Sequence, residues 1–146
     1  MTIYFKTYEA RDKNACLSLF DANCPQYFAP NERFDYEEFL DDQPNDYLLC
    51  IADEAIVGVF GVFAEQEGEC RINWIMLNSS AQGLGIGTKI MEKAIKQAMS
   101  LDAKIIHIAT SQVAYKFFEK FNAKTVKETK NGWGPDMDKI DMEIRL

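Results

Sequence analysis

Gly83, Gly85 and Gly87 alternate through Gln82-Gly83-Leu84-Gly85-Ile86-Gly87, directly before the most regular amphipathic run in the chain. In that run Ile86, Ile90, Met91, Ala94, Ile95, Ala98 and Met99 recur at helical spacing, while Lys89, Glu92, Lys93 and Lys96 take the other side. The pattern predicts a helix with one apolar stripe. Before the glycines, Cys70 to Leu77 alternates Ile72, Trp74 and Met76 against Asn73, Ile75 and Leu77, the period of a strand. Glycines let the backbone turn sharply and bring its N–H groups close to a ligand. A helix N-terminus adds unpaired donors and a partial positive charge, so the segment predicts an anion site, above all for a pyrophosphate.

Two other phosphate loops are excluded. Counting G-x-G-x-x-G from Gly83 places Thr88 where the third glycine belongs, and no Gly-Lys-Ser/Thr closes the segment as in a P-loop. The competing reading is a tight strand-to-helix turn without a ligand.

Around this centre the periodicity predicts six further strands and three further helices. Strands are expected at Ile3–Tyr8, Tyr47–Ala52, Ile56–Glu65, Lys104–Ala109, Thr125–Lys130 and Ile140–Leu146. Asp53-Glu54 reads as the turn of an antiparallel hairpin. Helices are expected over Arg11–Asp21, near Tyr36–Leu40, and after a Thr110 or Ser111 cap, with Ala114, Phe117, Phe118 and Phe121 on one side. Interleaved strands and helices with no repeat or linker predict one domain over residues 1–146. Its expected fold is an α/β (α+β) sandwich with a mostly antiparallel sheet of about seven strands and about four helices.

With 47% apolar residues the chain can build a core, and its net charge of −7 argues against a nucleic-acid partner. Acidity is compatible with cationic substrates. Cys16, Cys24, Cys50 and Cys70 form no close pair and His107 is the only histidine, so no metal site is expected and the thiols read as free. The longest apolar stretch, near Ile56–Ala64, is far shorter than the roughly 20 residues of a membrane helix. No signal peptide is visible, so a cytoplasmic location without membrane contact is expected.

Gln82 through Gly87 resembles the acetyl-CoA loop Q/R-x-x-G-x-G/A of the GNAT acetyltransferases. Ser111 to Lys120 (Ser-Gln-Val-Ala-Tyr-Lys-Phe-Phe-Glu-Lys) resembles that family's N-x-x-A-x-x-[LF]-Y-E-K helix. The resemblance implies the GNAT sandwich and an acyltransferase that uses acetyl-CoA as co-substrate, with no metal. It implies direct attack of an amine, from a small molecule or peptide, on the thioester in a ternary complex; a homodimer is left open. Ile75, Met76 and Leu77 would face the pantetheine arm, with the Leu77 N–H holding the thioester oxygen. Gln82, Gly83, Leu84, Gly85, Ile86, Gly87 and Thr88 would cradle the pyrophosphate, with Ser111 and Phe118 bordering the cofactor.

Phe118 stands where the family places a tyrosine that protonates the departing thiolate. A thiol with pKa about 8.5 leaves tolerably unaided near neutral pH, and Tyr115, one turn earlier, is the substitute donor. No base announces itself. Arg71 and Asn73 cannot accept a proton, which leaves Glu37, Glu38, Glu69 and His107 as candidates. Deprotonating a lysine-like amine at pH 7 costs about 4.6 kcal/mol, against about 1 kcal/mol for an α-amine, so an acceptor of low pKa is favoured. The aromatic stretch Cys24–Tyr36 and the segment Asn131–Pro135 are the expected acceptor walls. The alternative function is a CoA-binding module with weak or no catalysis.

Overall fold

The structure is a computed structural model describing residues 2–81 and 83–146. In chain order, β1 (Ile3–Thr7) is followed by a 3-10 turn (Ala10–Asp12), α1 (Lys13–Ala22) and α2 (Glu32–Asp41). The hairpin of β2 (Tyr47–Ala52) and β3 (Ala55–Gln66) then leads into β4 (Glu69–Leu77) and α3 (Ile86–Ser100). Last come β5 (Ile105–Thr110), α4 (Tyr115–Glu119), β6 (Lys124–Gly134) and β7 (Met137–Arg145). All seven strands lie in one sheet, ordered β1-β2-β3-β4-β5-β7-β6. Every pairing is antiparallel except β4 with β5, and α3 is the crossover that a parallel pair requires.

Apolar side chains fill both faces of the sheet. Ile86, Ile90, Met91, Ala94 and Ala98 of α3 and Phe118 of α4 pack on Phe60, Ile106, Ile108 and Met142. Cys16, Leu17 and Phe20 of α1 and Tyr36 and Leu40 of α2 pack on Tyr47, Leu49, Val59 and Met76. The α3 stripe is as expected except at its end, where Met99 is 61% exposed. No helix among the described residues is long and apolar enough to cross a membrane. All four cysteines are free.

Three elements differ from the periodicity. α2 begins four residues before the expected Tyr36, because Asn31 precedes a full helical turn whose Glu32 is buried. The Asn131–Pro135 segment is not a free loop, since β6 runs to Gly134 and pairs it with Met137. The third difference shapes the site. Ile72 faces the α3 side, whereas Trp74 and Met76 face the α1–α2 side, so the single alternation expected for β4 is broken. Gly61 pairs with Asn73 and Val59 with Met76, leaving Trp74 and Ile75 opposite Phe60 alone. This is a β-bulge, and Trp74 takes up the extra residue at φ 49°. One inserted residue exchanges the faces of everything beyond it.

Candidate functional site

β4 and β5 are paired only from Glu69↔Ile105 to Ile72↔Ile108. Beyond the bulge they separate, and residues 73–77 leave β5 unpaired. The gap widens into a cleft of about 730 Å³, within the range of small-molecule sites, which is roughly 300–1,000 Å³. The Tyr47 hydroxyl donates to the Trp74 carbonyl at 2.6 Å and accepts from Tyr36 at 3.0 Å, holding the bulge from below. Burial raises both phenols, so they stay protonated as donors.

At the end of β4 the Asn78 N–H bonds to the Val57 carbonyl of β3 at 2.8 Å. Backbone groups alternate sides along a strand, so the Leu77 N–H points away from β3, into the gap. Asn23, only 6% exposed, donates to the Leu77 carbonyl at 3.2 Å and to the Leu19 carbonyl at 2.9 Å. It ties the end of α1 to the mouth of the cleft.

Above Leu77 lies the glycine loop. Gly83 and Gly85 have φ of 82° and 77°, a region that L side chains rarely adopt. A Cβ at either would meet no atom within 4 Å, so backbone angle rather than crowding selects glycine and the loop stays open to a ligand. Gly87 is different. A Cβ there would lie 2.9 Å from Phe117 Cε1, so glycine permits α3 to approach α4. Lys89 bonds back to the Gly85 carbonyl at 3.1 Å; the N–H groups of Ile86, Gly87 and Thr88 have no intrahelical acceptor. No acid stands in this first turn, which leaves the positive end of α3 unopposed.

The cleft wall brings together Ile75, Met76, Leu77, Gly83, Gly85, Gly87 and Thr88 from one side and Ser111 and Phe118 from the other. Leu84 is 58% exposed and Ile86 is 1% exposed in the core, and neither forms the wall. Gln82 lies outside the described residues. Tyr115 packs against the α3-side core and is not on the cleft wall. Lys120, which the motif contains but sequence reasoning did not single out, is on the wall.

None of the acids weighed from sequence reaches the cleft. Glu37 pairs with Lys13 at 3.1 Å, and Glu38 is exposed. Glu69 pairs with His107 at 2.5 Å, where β4 and β5 are still joined, and this hydrogen bond holds its carboxyl below the usual range. The acid on the wall is Glu32, which sequence reasoning missed. It is 5% exposed, and its Oε2 accepts the Ala29 N–H at 2.8 Å. Burial pushes its carboxyl up to about 7, against the opposing effect of the Ala29 N–H. The sequence signal was Asn31 after Pro30, which marks a helix start and puts Glu32 in its first turn.

The Cys24–Tyr36 stretch and the β6–β7 hairpin meet over this acid. Trp133 Nε1 donates to the Thr110 carbonyl at 2.8 Å, and the Trp133 carbonyl accepts from Asn31 Nδ2 at 2.7 Å. Tyr27, Phe28 and Trp74 complete that part of the wall. Among the described residues no cluster of His, Cys, Asp and Glu could hold a metal ion.

No protein of curated function matches the chain in sequence. Several solved structures share its fold at low identity. Ard1 from Thermoplasma volcanium superposes with a TM-score of 0.84 at 10% identity, over 100% of this chain and 99% of that one. An aminoglycoside 6'-N-acetyltransferase complexed with coenzyme A gives 0.75 at 16% identity, over 97% and 96%. The NatC complex bound to Gag peptide and CoA gives 0.77 at 17% identity, over 100% and 99%. The sequence model of the acetyltransferase (GNAT) family matches residues 16–123, most of the chain and every element from α1 to α4. The chain belongs to the GNAT family of acetyltransferases.

Proposed function

We propose that the protein transfers an acetyl group from acetyl-CoA to an amine, which attacks the thioester directly while both substrates are bound. The observation that carries this reading is the parting of β4 from β5 immediately below the open N-terminus of α3. The CoA-bound relatives lend it support. The residues present fit the co-substrate. The positive-φ glycines leave an unfilled cradle at a helix N-terminus, where a pyrophosphate is favoured. The unpaired edge of β4 offers N–H and C=O groups to a pantetheine arm, much as a sheet edge takes an added strand.

In this reading the Leu77 N–H holds the thioester oxygen as it gains negative charge, which lowers the barrier by electrostatic stabilisation. Asn23 keeps that peptide in place through the Leu77 carbonyl. Phe118 has no proton to give, so the sulfur departs as a thiolate, tolerable for a thiol of pKa about 8.5.

The test is thiol release from acetyl-CoA across a panel of small amines and peptides, with CoA affinity measured by calorimetry. Expected are a saturable CoA isotherm and stoichiometric acetylated amine. Tight CoA binding with no thiol release across the panel would make the protein a CoA-binding module instead.

A further inference from the structure

Among the described residues Glu32 is the only buried carboxylate, and it lines the cleft. Burying a carboxylate is costly unless it is paired. Oε2 accepts the Ala29 N–H, and no hydrogen bond or ion pair among the described residues takes Oε1. The same cleft is lined by the aromatic side chains of Tyr27, Phe28, Trp74 and Trp133, with the Phe28 and Trp74 rings stacked at 6.1 Å between centroids. An open carboxylate oxygen among ring faces suits a cation carried on an apolar body, because both attract it.

We propose that Glu32 and these four rings form the acceptor subsite, which takes a primary amine on a compact apolar body, and that Glu32 Oε1 receives the proton the amine must lose. This rests on the acetyl-transfer reading above. The amine arrives as an ammonium ion and gives one proton to Glu32. Its nitrogen lone pair then bonds to the thioester carbonyl carbon, and the carbon–sulfur bond breaks with its electron pair on sulfur. The second proton, lost from nitrogen as the amide forms, goes to sulfur, and Glu32 returns its proton to solvent. Ammonium and thioester thus yield amide, free thiol and one proton.

The surroundings suit a base. Burial raises the carboxyl to about 7, and Asp35 on the same helix adds to the rise. A general base serves best with a pKa near the operating pH. From the loop before α2 the neighbouring titratable groups are Tyr27 and Cys24, and the Cys24 thiol is itself raised by burial. Arg33 is taken up by Asp21 at 2.8 Å in an exposed ion pair. β4 and the β6–β7 hairpin bring no charged side chain to the cleft wall, and Lys120 at the end of α4 is the cation that lines it.

The experiment uses the full chain, acetyl-CoA and phenethylamine as the probe amine, with Glu32→Gln and Glu32→Asp. The glutamine carbonyl can still accept the Ala29 N–H, and circular dichroism with thermal melts checks that both variants fold. In the parent, kcat/KM should rise through an inflection near pH 7. Glu32→Gln should lose about 10²-fold or more in kcat/KM and lose the inflection. Its CoA affinity should stay within about twofold, while Glu32→Asp should recover part of the rate and keep an inflection. If the parent binds CoA and Glu32→Gln acetylates phenethylamine with the parent's rate and pH profile, Glu32 is not the base. A parent that binds CoA and acetylates other amines but not phenethylamine overturns the substrate class. A parent that binds no CoA brings down the acetyl-transfer reading instead.

Discussion

The Tyr47 hydroxyl and the Trp74 carbonyl lie 2.6 Å apart, and through this bond the α1–α2 side of the sheet grips the bulge beyond which β4 and β5 part. Trp74 sits at φ 49°, which for a non-glycine residue costs on the order of 1–2 kcal/mol. Tyr47 is fully buried and spends its only hydroxyl proton on that carbonyl, so Tyr36 must be the donor in the bond between the two phenols. Tyr47→Phe should therefore lower stability by about 1–3 kcal/mol and reduce turnover, while Tyr36→Phe, which leaves the Trp74 bond intact, should do less of both. Urea unfolding and steady-state rates for the two variants decide it. Equal losses would mean that the hydroxyl pair matters and the hold on Trp74 does not.

Gly85 begins α3 at φ 77° with open space where a side chain would project. Gly85→Asn adds bulk that tolerates the left-handed region, whereas Gly85→Asp adds a charge at the proposed pyrophosphate site as well. CoA affinity by calorimetry should fall at least about tenfold further for the aspartate, or about 1.4 kcal/mol, and that extra loss should shrink as salt is raised. If both variants lose the same, backbone strain alone explains the glycine.

Tyr115 packs into the core beside α3 and not on the cleft wall. Tyr115→Phe should then leave kcat within about twofold of the parent, because in the proposed reaction the thiolate departs unaided. A loss of about 10² in kcat with unchanged CoA affinity would instead assign proton donation to Tyr115.

Glu32 also imposes a pH dependence on folding. Its folded-state carboxyl is raised to about 7 from an ordinary value of 4.5, so the folded protein holds this proton more tightly than the unfolded chain. Its contribution is most favourable below the unfolded value and is lost as pH rises through 7. Between pH 4 and pH 8 the parent should lose on the order of 3 kcal/mol relative to Glu32→Gln. Denaturant titrations at both pH values measure this. Glu69, held low by His107, contributes in the opposite sense, losing its stabilisation as pH falls through its lowered folded value. It is present in both proteins, so the comparison cancels it. A parent that loses nothing relative to the variant between the two pH values would place Glu32 outside the buried, raised state described here.

The glycine loop, the α3 stripe and most strands were legible because each depends on residues close in sequence. Gly83 and Gly85 need a left-handed backbone wherever they stand, and Ile86, Ile90 and Ala94 define a face before any partner exists. The acceptor side was not legible in the same way. Glu37, Glu38, Glu69 and His107 are acids and a histidine of ordinary appearance, and nothing local shows that Lys13 or a cross-strand partner occupies two of the acids. Glu32 was not among the acids weighed, because nothing in its neighbours along the chain marks it as buried.

What the sequence by itself determined is the set of local decisions: where strands alternate, where α3 starts, and which glycines turn the chain into it. These follow from backbone angles and side-chain period, which neighbouring residues set. Tertiary structure decided the rest. The bulge at Trp74 depends on Phe60 having two residues opposite it and on Tyr47 reaching its carbonyl across the sheet. Glu32 lines a wall to which the chain also brings Trp133, whose carbonyl holds Asn31 from 102 residues away in sequence. Desolvation is set by what surrounds a group in space, so no reading of residues in order could show that Glu32 would have a carboxyl near 7.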